Sequence, residues 1–165
     1  MLDSVVKQFT GGGADTIANS ELHSGLDTLL GQAQPAHASG AIGDALKVLG
    51  ADGFAQSVQS SAQQQGPNER GQIGSTLLHA VEQGGGSSGD VLSHLGIGTQ
   101  NPGAMSQGDL GALAGYVAEH HGGALANLLG GATGSGGGNA ESAVLHLLGS
   151  PMVRQVGMGL AKRLL

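Results

Sequence analysis

Glu119, His120 and His121 stand side by side in YVAEHHGGALANLLGG (116–131), an acid and two imidazoles between apolar segments. Neutral imidazole is a common ligand for divalent transition metals, and it changes charge near physiological pH. The chain holds seven histidines and no cysteine, so any metal site must use nitrogen and oxygen. Two histidines on one helix share an ion when spaced i, i+3 or i, i+4. No pair here has that spacing. His120 and His121 point about 100° apart on a helix and can share an ion only where the helix ends. His79 and Glu82 are i, i+3 and offer a second two-ligand set, on the polar face opposite Ile73 and Leu77. His146 falls on the polar side of Val144, Leu145 and Leu148, and His94 precedes a Leu-Gly stop. His23 lies near a helix start and His37 in a loop, so these four read as solvated or structural residues. A metal reading therefore gathers on Glu119, His120 and His121, with His79 and Glu82 behind them. The cofactor it implies is a divalent transition metal; without it, none is expected.

Catalytic sets are harder to assemble. A hydrolytic serine needs a positioned base and an oxyanion hole, and the Gly-x-Ser-x-Gly elbow is missing. The glycine tracts lack the lysine of a phosphate loop. GIGTQN (96–101) and GMGLAK (157–162) echo parts of a dinucleotide fingerprint, but neither follows a strand. Asp109 or Glu119 can act as acids and a histidine as a base, yet nothing in the sequence brings them together. The expectation is a protein without enzymatic activity.

The competing account of 116–131 is mechanical. Leu110, Leu113, Ala114 and Val117 follow i, i+3, i+4, i+7, and four more places lead to His121, with His120 beside it. Gly122-Gly123 is expected to end that helix. Imidazoles in a last turn bond open carbonyls and, when charged, favour the negative end of the helix dipole. On this account the stretch is a helix–turn–helix joint and His121 points inward.

The elements that must position these residues are helices. Ile73, Leu77, Leu78 and Val81 repeat the helical spacing, and no alternating segment lies between hairpin turns. A hexad ending in Leu-Gly recurs as LDTLLG (26–31), ALKVLG (45–50), VLSHLG (91–96), LANLLG (125–130) and VLHLLG (144–149). Glycine after an apolar helical run is the favoured residue for ending a helix in the left-handed conformation. The pattern predicts a compact all-α bundle of six to eight short glycine-capped helices. The glycines of the first two hexads and of the last two are equally spaced. This suggests pseudo-repeats over 24–63 and 123–165 around a middle segment 68–121, or a chance match in glycine-rich helical sequence. Asp52, Ser106 with Asp109, Asn139 and Ser150-Pro151 supply helix starts. Pro35, Pro67 and Pro102 are expected in loops. Gly11-Gly12-Gly13, GGGSSG (84–89) and GGATGSGGG (130–138) read as flexible connections.

The C-terminal segment PMVRQVGMGLAKRLL places Met152, Val153, Val156, Gly157, Leu160 and Leu164 at helical spacing. That face is either the last core helix or a surface that docks on a partner, a second copy or a membrane surface. The acidic balance of the chain and the low charge of this helix disfavour the membrane. Small residues within it permit close helix approach.

One domain over 1–165 is the simplest division. Leu, Ile, Val and Phe make up about 23% of the chain, just above the roughly 20% below which chains stay disordered. With 33 glycines, two phenylalanines, one tyrosine and no tryptophan, the core must be aliphatic and thin. Burial against a protein partner or against itself would help it, so a homo-oligomer is expected. A net charge of −6 with six basic residues leaves no basic stripe for nucleic acid. No apolar run approaches the ~18 residues of a membrane span, and MLDSVVKQFTGGG lacks the pattern of a secretory signal. A cytoplasmic protein is expected.

The opening MLDSVVKQFTGGG, the segment SGAIGDALKVLG (39–50) and a late Leu-Gly-Ser before a short helix resemble the YidB-like family of small glycine-rich helical bacterial proteins. The tryptophan-containing helix of that family has no counterpart here. The resemblance implies a compact, homeodomain-like helical fold without established enzymatic activity, and it carries over no functional residue. Composition, motifs and resemblance together lead to one expectation, a non-enzymatic helical interaction or scaffold protein that self-associates or serves as an accessory subunit. The alternative is a histidine-based metal or cofactor binder.

Overall fold

A computed structural model describes Lys7, residues 19–134 and residues 150–164. Within these residues the chain is all-α, with no strand. The helices are α1 (Asn19–Gln32), α2 (Pro35–Gln63), α3 (Pro67–Gln83), α4 (Ser88–His94), α5 (Gln107–His120), α6 (Gly122–Gly134) and α7 (Ser150–Leu164), with a 3₁₀ turn at Pro102–Ala104.

Proline sets where several of them begin. Pro35, Pro67 and Pro102 each occupy the first turn of a helical element instead of the expected loop. The missing N–H costs nothing there, because first-turn donors have no partner inside the helix. Proline also disfavours the helical region for the residue before it. Gln34 (ψ 147°), Gly66 (ψ 175°) and Asn101 (ψ 111°) are accordingly extended. His37, expected in a loop, therefore lies in the first turn of α2.

The Leu-Gly hexads end in three different ways. After VLSHLG, Gly96 has φ +70°, its N–H donates to the Ser93 carbonyl, and the Ile97 N–H donates to the Leu92 carbonyl. That is a Schellman ending, and Leu92 and Ile97 are both buried around it. Gly50 also has positive φ, but at φ 70°, ψ 174° it breaks α2 in its middle rather than ending it. That backbone region is open essentially to glycine alone. Gly31 and Gly130 are ordinary helical residues: α1 runs on to Gln32 and α6 to Gly134, so neither glycine caps a helix. Gly149, with the rest of VLHLLG, His146 and Asn139, lies outside the described residues, as does Gly11-Gly12-Gly13. The second proposed repeat is thus described only through α6 and α7.

Gly130 has a different task. A Cβ there would meet the Ser39 N and Cβ at 2.6 Å, so α6 crosses α2 backbone to backbone. On α5, Gly111 and Gly115 also face α2, but less tightly, since a Cβ at either would meet Ala55 at an ordinary contact distance of 3.4 Å. A glycine inside a helix costs about 1 kcal/mol against alanine, and close packing at a crossing offsets it.

Helix α2 is the central element, packed against α5, α6 and α7. Its buried positions Ala38, Ala41, Ile42, Ala45 and Leu46 continue past the kink as Phe54, Val58 and Ala62. Phe54 is the one fully buried aromatic ring among the described residues, and the remaining core is aliphatic. The stretch 84–89, read as flexible, is a defined turn. The Gly85 N–H donates to the Glu82 carbonyl and the Gly86 N–H to the Val81 carbonyl, and α4 follows at once.

Candidate functional site

The joint at 116–131 begins with α5. Ser106 Oγ accepts from the Asp109 N–H at 3.1 Å, and Asp109 Oδ2 accepts from the Ser106 N–H at 2.9 Å. This capping box fixes the start of the helix. Burial of Leu110, Leu113, Ala114 and Val117 fixes its rotation. Both together determine where Glu119, His120 and His121 emerge.

His120 is the last residue of α5, and His121 leaves the helix at φ −131°, ψ 24°. The His121 N–H donates to the Val117 carbonyl at 2.8 Å, and its own carbonyl accepts from the Leu125 N–H at 2.9 Å. One residue therefore closes α5 and opens α6. Gly122-Gly123, expected to stop the first helix, instead begins the second. A stop by positive φ is not needed, because the change of direction is absorbed at His121.

The two imidazoles diverge. His121 is half-buried with its ring against the end of α3, so close that Gly84 has no room for a Cβ. His120 is half exposed and lies 4.0 Å from the Glu119 carboxylate, itself 68% exposed. Tyr116, one turn earlier, gathers these rings: its centroid is 4.5 Å from His120, 6.0 Å from His121 and 6.1 Å from His94 on α4.

Glu119 and His120 line a groove of about 730 Å³ between the joint and the kink of α2. Helix α2 contributes Leu46, Lys47, Gly50 and Asp52, and the start of α6 contributes Gly122 and Gly123. A shallower groove of about 440 Å³ shares Asp52 and continues between α2 and α5 over Gly111 and Gly115. Lys47 and Asp52 were not singled out as site residues by sequence reasoning. The signal for them is Gly50 itself, since a glycine that bends a central helix opens a surface beside the bend.

His79 and Glu82 sit elsewhere, on the outer face of α3, 4.0 Å apart and more than half exposed. Glu82 Oε1 accepts from Ser88 Oγ at 3.3 Å, tying the start of α4 to the end of α3, and His79 Nε2 is 3.2 Å from Gln83 Nε2. Among the described residues, no group of three or more histidines and carboxylates is arranged to hold a metal ion.

The C-terminal face is turned inward. Met152, Val153, Val156, Gly157 and Leu160 are buried and Leu164 half-buried, where α7 packs on α1 and α2. The docking surface suggested for these residues is thus occupied by the chain itself. At this contact the close approach falls on Gly159, where a Cβ would meet Ala41 Cβ at 3.2 Å. Arg163 Nη2 donates to Asp44 Oδ2 at 2.7 Å and ties the end of α7 to α2. No helix among the described residues is long and apolar enough to cross a membrane. Comparison with protein-family models, with curated proteins and with solved structures gives no match.

Proposed function

We propose that this chain is a non-enzymatic helical interaction protein that self-associates or serves as an accessory subunit. The observation carrying this reading is the groove at the kink of α2. Its lining is largely glycine and alanine, and Lys47, Asp52, Glu119 and His120 are among the residues that line it. A lining of small residues lets another chain approach closely, and the opposite charges of Lys47 and of Asp52 and Glu119 within it can orient such an approach. The resemblance to YidB-like proteins implies the same non-catalytic class and supports the reading.

Melting curves separate this reading from a histidine-based metal site. Anything that binds only the folded state raises the melting temperature with its own concentration. Association predicts a Tm that climbs with protein concentration and ignores zinc, nickel or iron. A Tm indifferent to protein concentration but raised by metal, with the metal response lost in His120→Ala/His121→Ala, would overturn it.

A further inference from the structure

We propose that Asp52-Gly53 is a site of spontaneous isoaspartate formation, at which the backbone nitrogen of Gly53 captures the side-chain carboxyl of Asp52. The site stands on the break in α2 and is independent of what the groove binds.

Of the seven aspartates in the chain, Asp52 alone precedes a glycine, and no asparagine does. Glycine has no Cβ to hinder the approach of its nitrogen to the carboxyl before it. A continuous helix suppresses that approach, because each N–H is held by the carbonyl four residues back. At Gly50, with φ 70° and ψ 174°, this ladder is interrupted. Bonds spanning Gly50, from the N–H groups of Ala51, Asp52 and Gly53 to the carbonyls of Lys47, Val48 and Leu49, need helical dihedrals at Gly50 that it does not have. These three residues are therefore the first turn of a restarted helix, whose donors have no partner within it and which opens at little cost. Asp52 is exposed and lines both grooves, so water reaches it. The bend also favours glycine at position 53, where a Cβ would lie 3.2 Å from Leu49 Cβ.

The reaction balances without a co-reactant other than water. The Gly53 nitrogen forms a bond to Asp52 Cγ, and the carboxyl hydroxyl leaves with the amide proton as water, closing a five-membered imide. Water then returns to one of the two imide carbonyls. Opening at Cγ restores aspartate, whereas opening at the backbone carbonyl leaves the chain running through Cγ. The product has the same mass, one more carbon in its main chain and a carboxylate set directly on Cα. That change falls at the residue shared by the two grooves, where the second half of α2 begins.

Ageing of the full chain tests it. The folded protein, its helicity checked by circular dichroism, is held at neutral pH and physiological temperature for several weeks. Isoaspartate is read by enzymatic methylation and placed by electron-transfer fragmentation of the peptides. It is expected to accumulate at Asp52 several-fold faster than at Asp44, Asp90 or Asp109, with the mass of the chain unchanged. Asp52→Glu should abolish the signal, because glutamate would have to close a larger ring. Asp52→Asn should reach the same imide by loss of ammonia and yield a mixture of aspartate and isoaspartate at this position. A folded chain whose Asp52 stays unmodified overturns the proposal, and reaction there only in denaturant would show that the helix protects it after all. Isoaspartate spread evenly over the four aspartates overturns it equally.

Discussion

Ser57 is 2% exposed within α2, and its Oγ has no hydrogen-bond partner among the described residues. A buried hydroxyl without a partner loses its hydration and gains nothing in return. Ser57→Ala should therefore stabilise the fold by about 1 kcal/mol, read as a higher denaturant midpoint at unchanged slope. A lower midpoint would mean that the hydroxyl has a partner in solution. Gly84→Ala should act in the opposite sense, because its methyl would occupy the place of the His121 ring. Overpacking of this kind costs about 1–3 kcal/mol. Adding His121→Ala should recover much of the loss, and a double-mutant cycle with no coupling between the two positions would contradict the contact. The sequence leads to His121 by a four-residue step from Val117, and the structure turns that residue inward against α3. The identity of its neighbour was not legible, because Gly84 comes from a distant part of the chain and glycine carries no side-chain signal of what it touches.

At the scale of helices, Gly130 and Gly131 make the sharpest contrast. Both are helical in α6, yet a Cβ at Gly130 meets the backbone of Ser39, whereas at Gly131 it meets nothing within 4 Å. Gly130→Ala should destabilise by about 1–3 kcal/mol through forced separation of α2 and α6. Gly131→Ala should stabilise by up to about 1 kcal/mol through helix propensity. Chemical denaturation of the two variants checks the pair, and equal effects would contradict a backbone-to-backbone crossing. This contrast also explains what the repeated hexads left open. Leu-Leu-Gly reads the same whether the glycine ends a helix, as Gly96 does after VLSHLG, or lies in a crossing, as Gly130 does after LANLL. Local pattern reports that a side chain is absent, and the element packed against the glycine decides why. Prolines behave similarly. Pro35 and Pro67 were legible as boundaries, while the side of the boundary on which they fall depended on which segment continued as a helix.

For the whole molecule, the all-α class was legible because apolar residues recur at helical spacing from Ile73 to Val117 and no segment alternates. The aliphatic core was legible from composition, since two phenylalanines and one tyrosine leave little else to build with. The groove was not, because it exists only where the bend at Gly50 faces the joint at His121, two local irregularities that meet through packing of α5 and α6 on α2. The fold places Glu119 and His120 at this groove and His79 and Glu82 on the outer face of α3. The central claim is that the chain presents this surface to another protein, and first of all to itself. Sedimentation velocity of the wild-type chain from low to high micromolar concentration tests that claim most directly. The account predicts a weight-average mass that rises towards that of a dimer, whereas a well-folded species that keeps the monomer mass throughout would contradict it.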